Sequence, residues 1–295
     1  MGERNLFAMN AERGEYPAAD PALYAPHMAR IISVKQEIGG ERPVKSFRVR
    51  LEEGHDAFSH RPGQCLMVSV LGVGEAMFAI SSPPTRPEHL QLSVTKVGRV
   101  TSAMHLLDEG DLMGVRGPLG NGFPVKEWEG RNLVFIGGGI GLAPLRAVYA
   151  YALDRRERFG DVRILYGART SADLVYRDEL ESIAAGGDVP VHLSIDVAEP
   201  GWAGYVGFVP SNVLEVKPSP DNAVAVVCGP PVMIRIAAQN LEKLGFKGEQ
   251  IYTTLENRMK CGVGKCGRCN VGPYFVCKHG PVFSWAQVSQ MKQDY

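Results

Sequence analysis

The sequence predicts an antiparallel β-barrel and an α/β doubly wound parallel sheet in series, followed by a small C-terminal lobe rich in cysteine. Three observations lead there. Short Val-, Ile- and Phe-rich segments separated by Gly, Pro and polar turns run from about Ala29 to Val125, as in a small all-β unit. From Arg131 onward, strand-length apolar runs alternate with helix-length segments, the pattern of a parallel sheet covered on both faces. Four cysteines then crowd into residues 261–277, whereas Cys65 and Cys228 lie far apart.

Residues 1–25 have no strong periodicity and are read as an N-terminal extension. The barrel is assigned to residues 26–126. Its strand candidates are IISVKQEI, VKSFRVRL, CLMVSVLG, MFAISS, LQLSVTKV and DLMGVRGP. One helix interrupts them: Thr101 or Ser102 caps AMHLLDEG, which stops at Gly110. The α/β unit is assigned to residues 127–256. NLVFIGG is its first strand, and a helix from Pro144 to about Phe159 follows a glycine loop. VRILYGA, VPVHLSID and AVAVVCG are further strands, DLVYRDELESIAA and VMIRIAAQNLEKLG further helices, and QIYTTLE the last strand. Residues 257–295 form the cysteine lobe.

The 295 residues suit two domains with an appendage. Hydrophobic residues make up 45% of the chain, enough for more than one core, and 34 Gly and 20 Pro argue for many turns rather than a helical bundle. Lys plus Arg equals Asp plus Glu at 32 each, so no global field favours nucleic acid or an anionic membrane. No stretch approaches the ~20 apolar residues needed to span a bilayer. The N-terminus lacks the charged-then-apolar pattern of a signal peptide, and a cytoplasmic protein is expected. The crowding of the cysteines is unlike a secreted disulfide scaffold.

Cys261, Cys266, Cys269 and Cys277 have the spacing C-x4-C-x2-C-x7-C. Its first intervals match the plant-type [2Fe–2S] ligand pattern, whose fourth cysteine lies further on. Gly262, Gly264 and Gly267 let the backbone fold tightly with N–H groups pointing at sulfur, which stabilises an anionic cluster. Lys260, Lys265 and Arg268 add positive charge nearby. Structural zinc is the rival, but zinc lobes commonly use two short C-x2-C knuckles and only one is present.

Residues 137–144 read GGGIGLAP. Gly138, Gly139, Ile140, Gly141 and Pro144 form a variant dinucleotide fingerprint between strand and helix, where glycines admit a pyrophosphate that the helix N-terminus attracts. Pro144 suits the first helical turn. No acidic residue ends the second strand; Arg169 meets a 2′-phosphate, stacks on adenine or caps the next helix, so NAD versus NADP stays open. Cys228, Gly229 and Pro230 end a later strand, where ligands of open α/β sheets bind. Cys228 also reads as a small buried residue at a tight turn.

Together these features resemble the ferredoxin–NADP reductase superfamily. The cysteine lobe narrows the resemblance to the electron-transfer subunit of NAD-dependent dihydroorotate dehydrogenase, and more closely to gamma (diaphorase) subunits of cytoplasmic NiFe hydrogenases and sulfhydrogenases. VSVLGVGEAMFAISSPP, GPLGNGF, LENRMKCGVGKCGRC and VCKHGPVF carry it, covering nearly everything from residue 28. The resemblance implies FAD in the barrel. Its flavin motif falls on Phe78, Ala79, Ile80 and Ser81, with Phe78 where the family has arginine, and Ser81 and local backbone toward the isoalloxazine. Its phosphate motif falls on Gly98, Arg99, Val100 and Thr101, with Ser102 beside it, at the helix N-terminus. It also places Cys228 near the nicotinamide, as the one candidate catalytic side chain.

Three cofactors, FAD, a [2Fe–2S] cluster and NAD(P)H as substrate, would make the chain a converter between two-electron and one-electron chemistry. No acid–base constellation for an organic substrate stands out. His55, His60, His89, His105, His192 and His279 are scattered and read as surface or core residues. The expected role is a diaphorase subunit exchanging electrons with a partner redox subunit that carries further iron–sulfur centres, of hydrogenase or of sulfur- or heterodisulfide-reducing type. A stand-alone NAD(P)H–ferredoxin reductase and a non-catalytic redox-sensing module are the alternatives.

Overall fold

The computed structural model describes residues 24–291; residues 1–23 and 292–295, and with them most of the expected N-terminal extension, lie outside the described residues. Six strands, β1 (His27–Ile38), β2 (Val44–Leu51), β3 (Cys65–Val70), β4 (Gly74–Ala79), β5 (Leu90–Thr95) and β6 (Leu112–Leu119), form one antiparallel sheet. Their order is β4-β3-β6-β1-β2-β5. Alternation explains the core: Phe47, Val49 and Leu51 of β2 point inward with Leu66 and Val68 of β3 and Leu90, Leu92 and Val94 of β5. Each such side chain, once buried, stabilises the fold by roughly 1.5–3 kcal/mol before the cost of ordering it.

Helix α1 is Arg99–Met104, shorter and earlier than the sequence predicts. Gly98 takes the N-cap position, and the Thr101 hydroxyl turns back to accept from the Val97 and Gly98 amides at 3.0 and 2.8 Å. Met104, fully buried, ends the helix against the barrel core.

The second sheet has seven strands in the order β10-β9-β8-β7-β11-β12-β15. Those strands are β7 (Asn132–Gly138), β8 (Val162–Ala168), β9 (Val191–Ile195), β10 (Tyr205–Val206), β11 (Ala223–Cys228), β12 (Ile251–Thr254) and β15 (Val282–Ser284). All pairings are parallel except β12 with β15. The strand expected to close the sheet therefore does not: the cysteine lobe returns and adds an antiparallel edge, pairing Val282 with Thr254. Helices α2 (Leu142–Asp154) and α3 (Arg177–Ala185) cover one face; α4 (Val209–Val216) and α5 (Pro231–Lys243) cover the other. Leu133 and Phe135 of β7 point to the first face, Val134 and Ile136 to the second. A strand buried on both sides reads as one continuous apolar run, as NLVFIGG does. The sequence reading missed α4 and β10, and α2 stops short of Phe159.

The lobe adds a two-stranded ribbon, β13 (Asn270–Val271) with β14 (Tyr274–Phe275), and short helices α6 (Val276–His279) and α7 (Trp285–Gln290). The barrel and the α/β sheet are joined by buried and exposed polar contacts. Arg146 on α2 donates to the Ser81 carbonyl at 2.9 Å while paired with Glu179 at 2.8 Å. Arg86 pairs with Asp154 at 2.6 Å. Among the described residues no helix is long and apolar enough to cross a membrane.

Candidate functional site

The loops after β7 and β11 meet without side chains between them. A Cβ on Gly141 would lie 2.5 Å from the Gly229 Cα and 2.6 Å from the Cys228 carbonyl oxygen. Gly139 sits at φ +54°, in the left-handed region that glycine adopts without strain. Gly138, Gly139, Ile140 and Gly141 thus form one wall of a narrow cradle at the carboxyl ends of the strands, with Cys228, Gly229 and Pro230 opposite. Pro144 lies in the first turn of α2, and Pro231 opens α5. Arg169 is exposed at the tip of β8, near Asp196 at the tip of β9. Burial raises the Asp196 carboxyl and the Arg169 charge opposes this. The third strand thus brings an acid beside the tip of the second, which no local pattern signals.

Cys228 is fully buried, and Thr254 donates to its sulfur at 3.3 Å. Burial pushes the thiol up to about 12, against the lowering effect of Thr254. The group stays a neutral thiol at ordinary pH, suited to packing beside a ring and unsuited to attack as a thiolate.

Beside this cradle opens a cleft of about 270 Å³. Its walls come from all three parts of the chain: Cys65, Glu75, Ala76, Met77 and Ala79 from the barrel, Pro144 and residues 254–256 from the α/β unit, and residues 257–260 with Pro281 from the lobe. Small and apolar groups on the barrel side leave room for a planar ring. Glu256 opens onto this cleft, yet protein surrounds it on most sides and desolvation raises its carboxyl.

The expected flavin motif is only partly on this wall. Ala79 lines the cleft and Phe78 packs on the barrel core. Ile80 and Ser81 are fully buried, and the Ser81 hydroxyl donates to the Gln91 carbonyl at 3.0 Å. Ser81, beyond the end of β4, therefore turns toward the barrel–helix junction rather than the cleft. Gly98, Arg99, Val100, Thr101 and Ser102 open α1, and Val100 lies against the start of β4: a Cβ on Gly74 would come 3.5 Å from its Cγ2.

In the lobe, backbone amides converge on sulfur. Val263, Lys265 and Cys266 donate to the Cys261 sulfur at 3.5, 3.3 and 3.4 Å, and Gly264 donates to Cys277 at 3.2 Å. Gly262, Gly264 and Gly267 all have φ between +68° and +76°, which turns their peptides inward. The thiols fall into two pairs: Cys269 and Cys277 are 3.4 Å apart, and the Cys266 side chain bonds Cys261. Among the described residues no three Cys, His, Asp or Glu side chains converge as a single-ion site requires. Four thiols met by backbone amide donors suit an anionic metal–sulfur centre, whose charge such donors stabilise.

The barrel's GPLGNGF and the lobe's KHGPVF pack against each other. Asn121 bonds His279 and Val282, and a Cβ on Gly120 would lie 2.6 Å from the Gly280 carbonyl oxygen. Among the histidines, His60 and His105 bond the carbonyls of Ser82 and Val94, His55 bonds Pro87, and His279 accepts from the Phe275 amide. Sequence reasoning missed Glu75, Met77, Arg116, Asn121 and Glu256. Only their place inside or beside the quoted motifs signals them.

Residues 135–239 match the family described as an oxidoreductase NAD-binding domain. Residues 256–289 match the iron–sulfur cluster binding domain of dihydroorotate dehydrogenase B. The chain is 39% identical over 272 residues to sulfhydrogenase 1 subunit gamma of Pyrococcus furiosus, covering 90% of this chain and 92% of the relative. It is 34% identical over 261 residues to the probable dihydroorotate dehydrogenase B (NAD(+)) electron transfer subunit of the same organism, covering 88% and 92%. The solved structure of an NADH-dependent reduced ferredoxin-NADP oxidoreductase superposes with TM-score 0.69 over 90% of this chain and 93% of that one, at 23% identity. A ferredoxin NADP+ reductase from Neisseria gonorrhoeae gives TM-score 0.63 over 77% and 96%, at 18% identity; these two show the fold. The order of barrel, glycine cradle and four-thiol lobe is thus that of known proteins with the ferredoxin–NADP reductase fold, and the chain belongs to the family of sulfhydrogenase gamma and dihydroorotate dehydrogenase B electron-transfer subunits, oxidoreductases with an NAD-binding domain and an iron–sulfur cluster binding domain.

Proposed function

We propose that this chain is an FAD- and [2Fe–2S]-carrying diaphorase subunit that exchanges electrons between NAD(P)H and a partner redox subunit in the cytoplasm. The observation that carries the reading is the cleft shared by barrel, α/β unit and lobe. Its wall residue Met77 reaches the cysteine loop, where a Cβ on Gly262 would meet Met77 Cε at 3.3 Å and Leu119 Cδ1 at 2.7 Å. A flavin bound in the cleft would supply conversion between two-electron and one-electron transfer.

The chain's own residues do the rest. Gly139, Gly141 and Gly229 admit a pyrophosphate to within backbone contact, and the start of α2 favours its charge. Cys228, Pro230 and Thr254 border the place where a nicotinamide would lie against the cleft. Ala76, Met77, Ala79 and Pro144 exclude water from the ring site, and the start of α1, with Arg99 and Ser102, offers amides and charge for the flavin diphosphate. Cys261, Cys266, Cys269 and Cys277 would hold the cluster by thiolate ligation. Of the four, Cys269 and Cys277 are buried, Cys261 is half-buried and Cys266 is exposed, so the lobe's Cys266 side is the exit or entry for single electrons. The domain limits 26–126, 127–256 and 257–295 follow this division of labour.

The relatives' names point to a partner of hydrogenase, sulfur-reducing or dihydroorotate-oxidising type. Anaerobic purification with FAD, iron and sulfide tests the cofactor reading. Flavin and cluster absorption that both bleach with NADH or NADPH, with iron and sulfide in equal amounts, support it. Zinc without iron sinks the cluster, and flavin that neither nucleotide bleaches leaves a redox sensor. Purification from the native host identifies the associated subunits and their metals; isolation with no partner favours a stand-alone reductase.

A further inference from the structure

Arg116 on β6 is 5% exposed and stands where the cleft wall meets the cysteine lobe. Its Nη1 donates to the carbonyl of Cys261 at 3.3 Å. Its Nη2 lies 3.3 and 3.4 Å from the two carboxylate oxygens of Glu75, a residue of β4 that lines the cleft. On the same strand, Leu119 packs against Gly262, the residue after Cys261. One buried guanidinium thus ties the cleft wall to the backbone of a proposed cluster ligand. A guanidinium stays protonated across the accessible pH range, so its charge is a constant feature of this junction. The Arg116 side chain is shielded from water while that of Glu75 is 42% exposed along the cleft, so the two charges act through partial screening.

We propose that Arg116 is the positioning and potential-setting residue of this junction: it anchors the Cys261 carbonyl to the barrel and favours the reduced cluster, with Glu75 as its counterweight. The inference rests on the cofactor reading above. Adding one electron makes the cluster more negative, and a fixed neighbouring cation stabilises that state while a carboxylate opposes it. Arg116 and Glu75 therefore move the potential in opposite directions, which a residue that merely held two parts together would not produce.

The test is the cluster reduction potential, followed by EPR in a redox titration of the full chain loaded with FAD, iron and sulfide. R116Q is expected to lower the potential by about tenfold in the one-electron equilibrium, which is 59 mV. R116K should recover part of that shift, because it restores charge without the two-sided fork. E75Q is expected to raise the potential. Unchanged potentials in loaded R116Q and E75Q overturn the proposal, as does a shift of the same sign in both. Should R116Q fail to take up cluster, E75Q decides alone, and no rise overturns it. A wild-type chain that takes up no cluster overturns the functional reading and this proposal with it, whereas a loaded chain with unmoved potentials overturns this proposal alone.

Discussion

Asn121 holds Val282 by both of its backbone groups: Oδ1 accepts from the Val282 amide at 3.0 Å and Nδ2 donates to the Val282 carbonyl at 2.7 Å. The same Nδ2 donates to the His279 carbonyl at 3.1 Å. A barrel loop thereby fixes the strand by which the lobe joins the α/β sheet. Asn121→Ala leaves these groups without that partner, at a cost of about 1–3 kcal/mol for each one stranded from water. The expected outcome is a lower melting temperature and faster bleaching of cluster absorption under air, with NAD(P)H affinity little changed. Unaltered cluster lifetime in N121A would show that the lobe is held elsewhere.

Gly141→Ala puts a methyl 2.5 Å from the Gly229 Cα, where the neighbour is backbone and cannot step aside cheaply. The two loops must separate, and the pyrophosphate cradle widens with them. NADH and NADPH binding is expected to weaken at least tenfold in titration calorimetry. Gly39→Ala is the control, because nothing lies within 4 Å of a Cβ there. Equal affinities in G141A and G39A would remove the cradle from the nucleotide site.

Thiol reactivity should divide the cysteines by environment. Burial pushes Cys65 and Cys228 up to about 12. At Cys261 burial also opposes ionisation, but the amides of Val263, Cys266 and Lys265, with the Cys266 side chain, outweigh it and bring the thiol to about 7. Iodoacetamide at pH 8 on the cluster-free chain is expected to modify Cys261 and exposed Cys266 first, with Cys65 and Cys228 reacting only after denaturation. Peptide mass spectrometry reads the order, and early modification of Cys228 would contradict its closed setting.

Stability should fall on mild acidification. His60 and His105 are held below their ordinary value by burial, against the raising effect of their bonds to the Ser82 and Val94 carbonyls. The unfolded chain takes up these protons near pH 6.5 while the folded chain resists, so the unfolded state binds more protons as pH drops. The contribution is present above about pH 6.5 and is lost as pH falls through the lower folded values. Urea midpoints are expected to decrease between pH 7.5 and 5.5, and His60→Gln should flatten that slope. A midpoint that rises over this interval would reverse the sign.

Much of the fold was legible because its signals are local. VKSFRVRL alternates with period two and is β2; NLVFIGG and VRILYGA are predominantly apolar and match β7 and β8 residue for residue. GGGIGLAP names its own turn. The helix α1 was misplaced because Thr101 looks like an N-cap, yet its hydroxyl serves amides three and four residues earlier. Helix α4 was missed because VPSNVLEV, between loop segments, is too short to show a helical period.

By itself the sequence determined the two sheets, the glycine turn and the four sulfur donors, since each depends on residues close together in the chain. Tertiary structure alone decided which sides of those elements meet. It turned Ser81 away from the cleft and brought Asp196 beside Arg169. It placed Arg116 between Glu75 and Cys261, residues 41 and 145 positions away. The physical reason is that hydrogen bonds and charge act through space at a few ångströms, whereas pattern in a sequence records only what neighbours along the chain share.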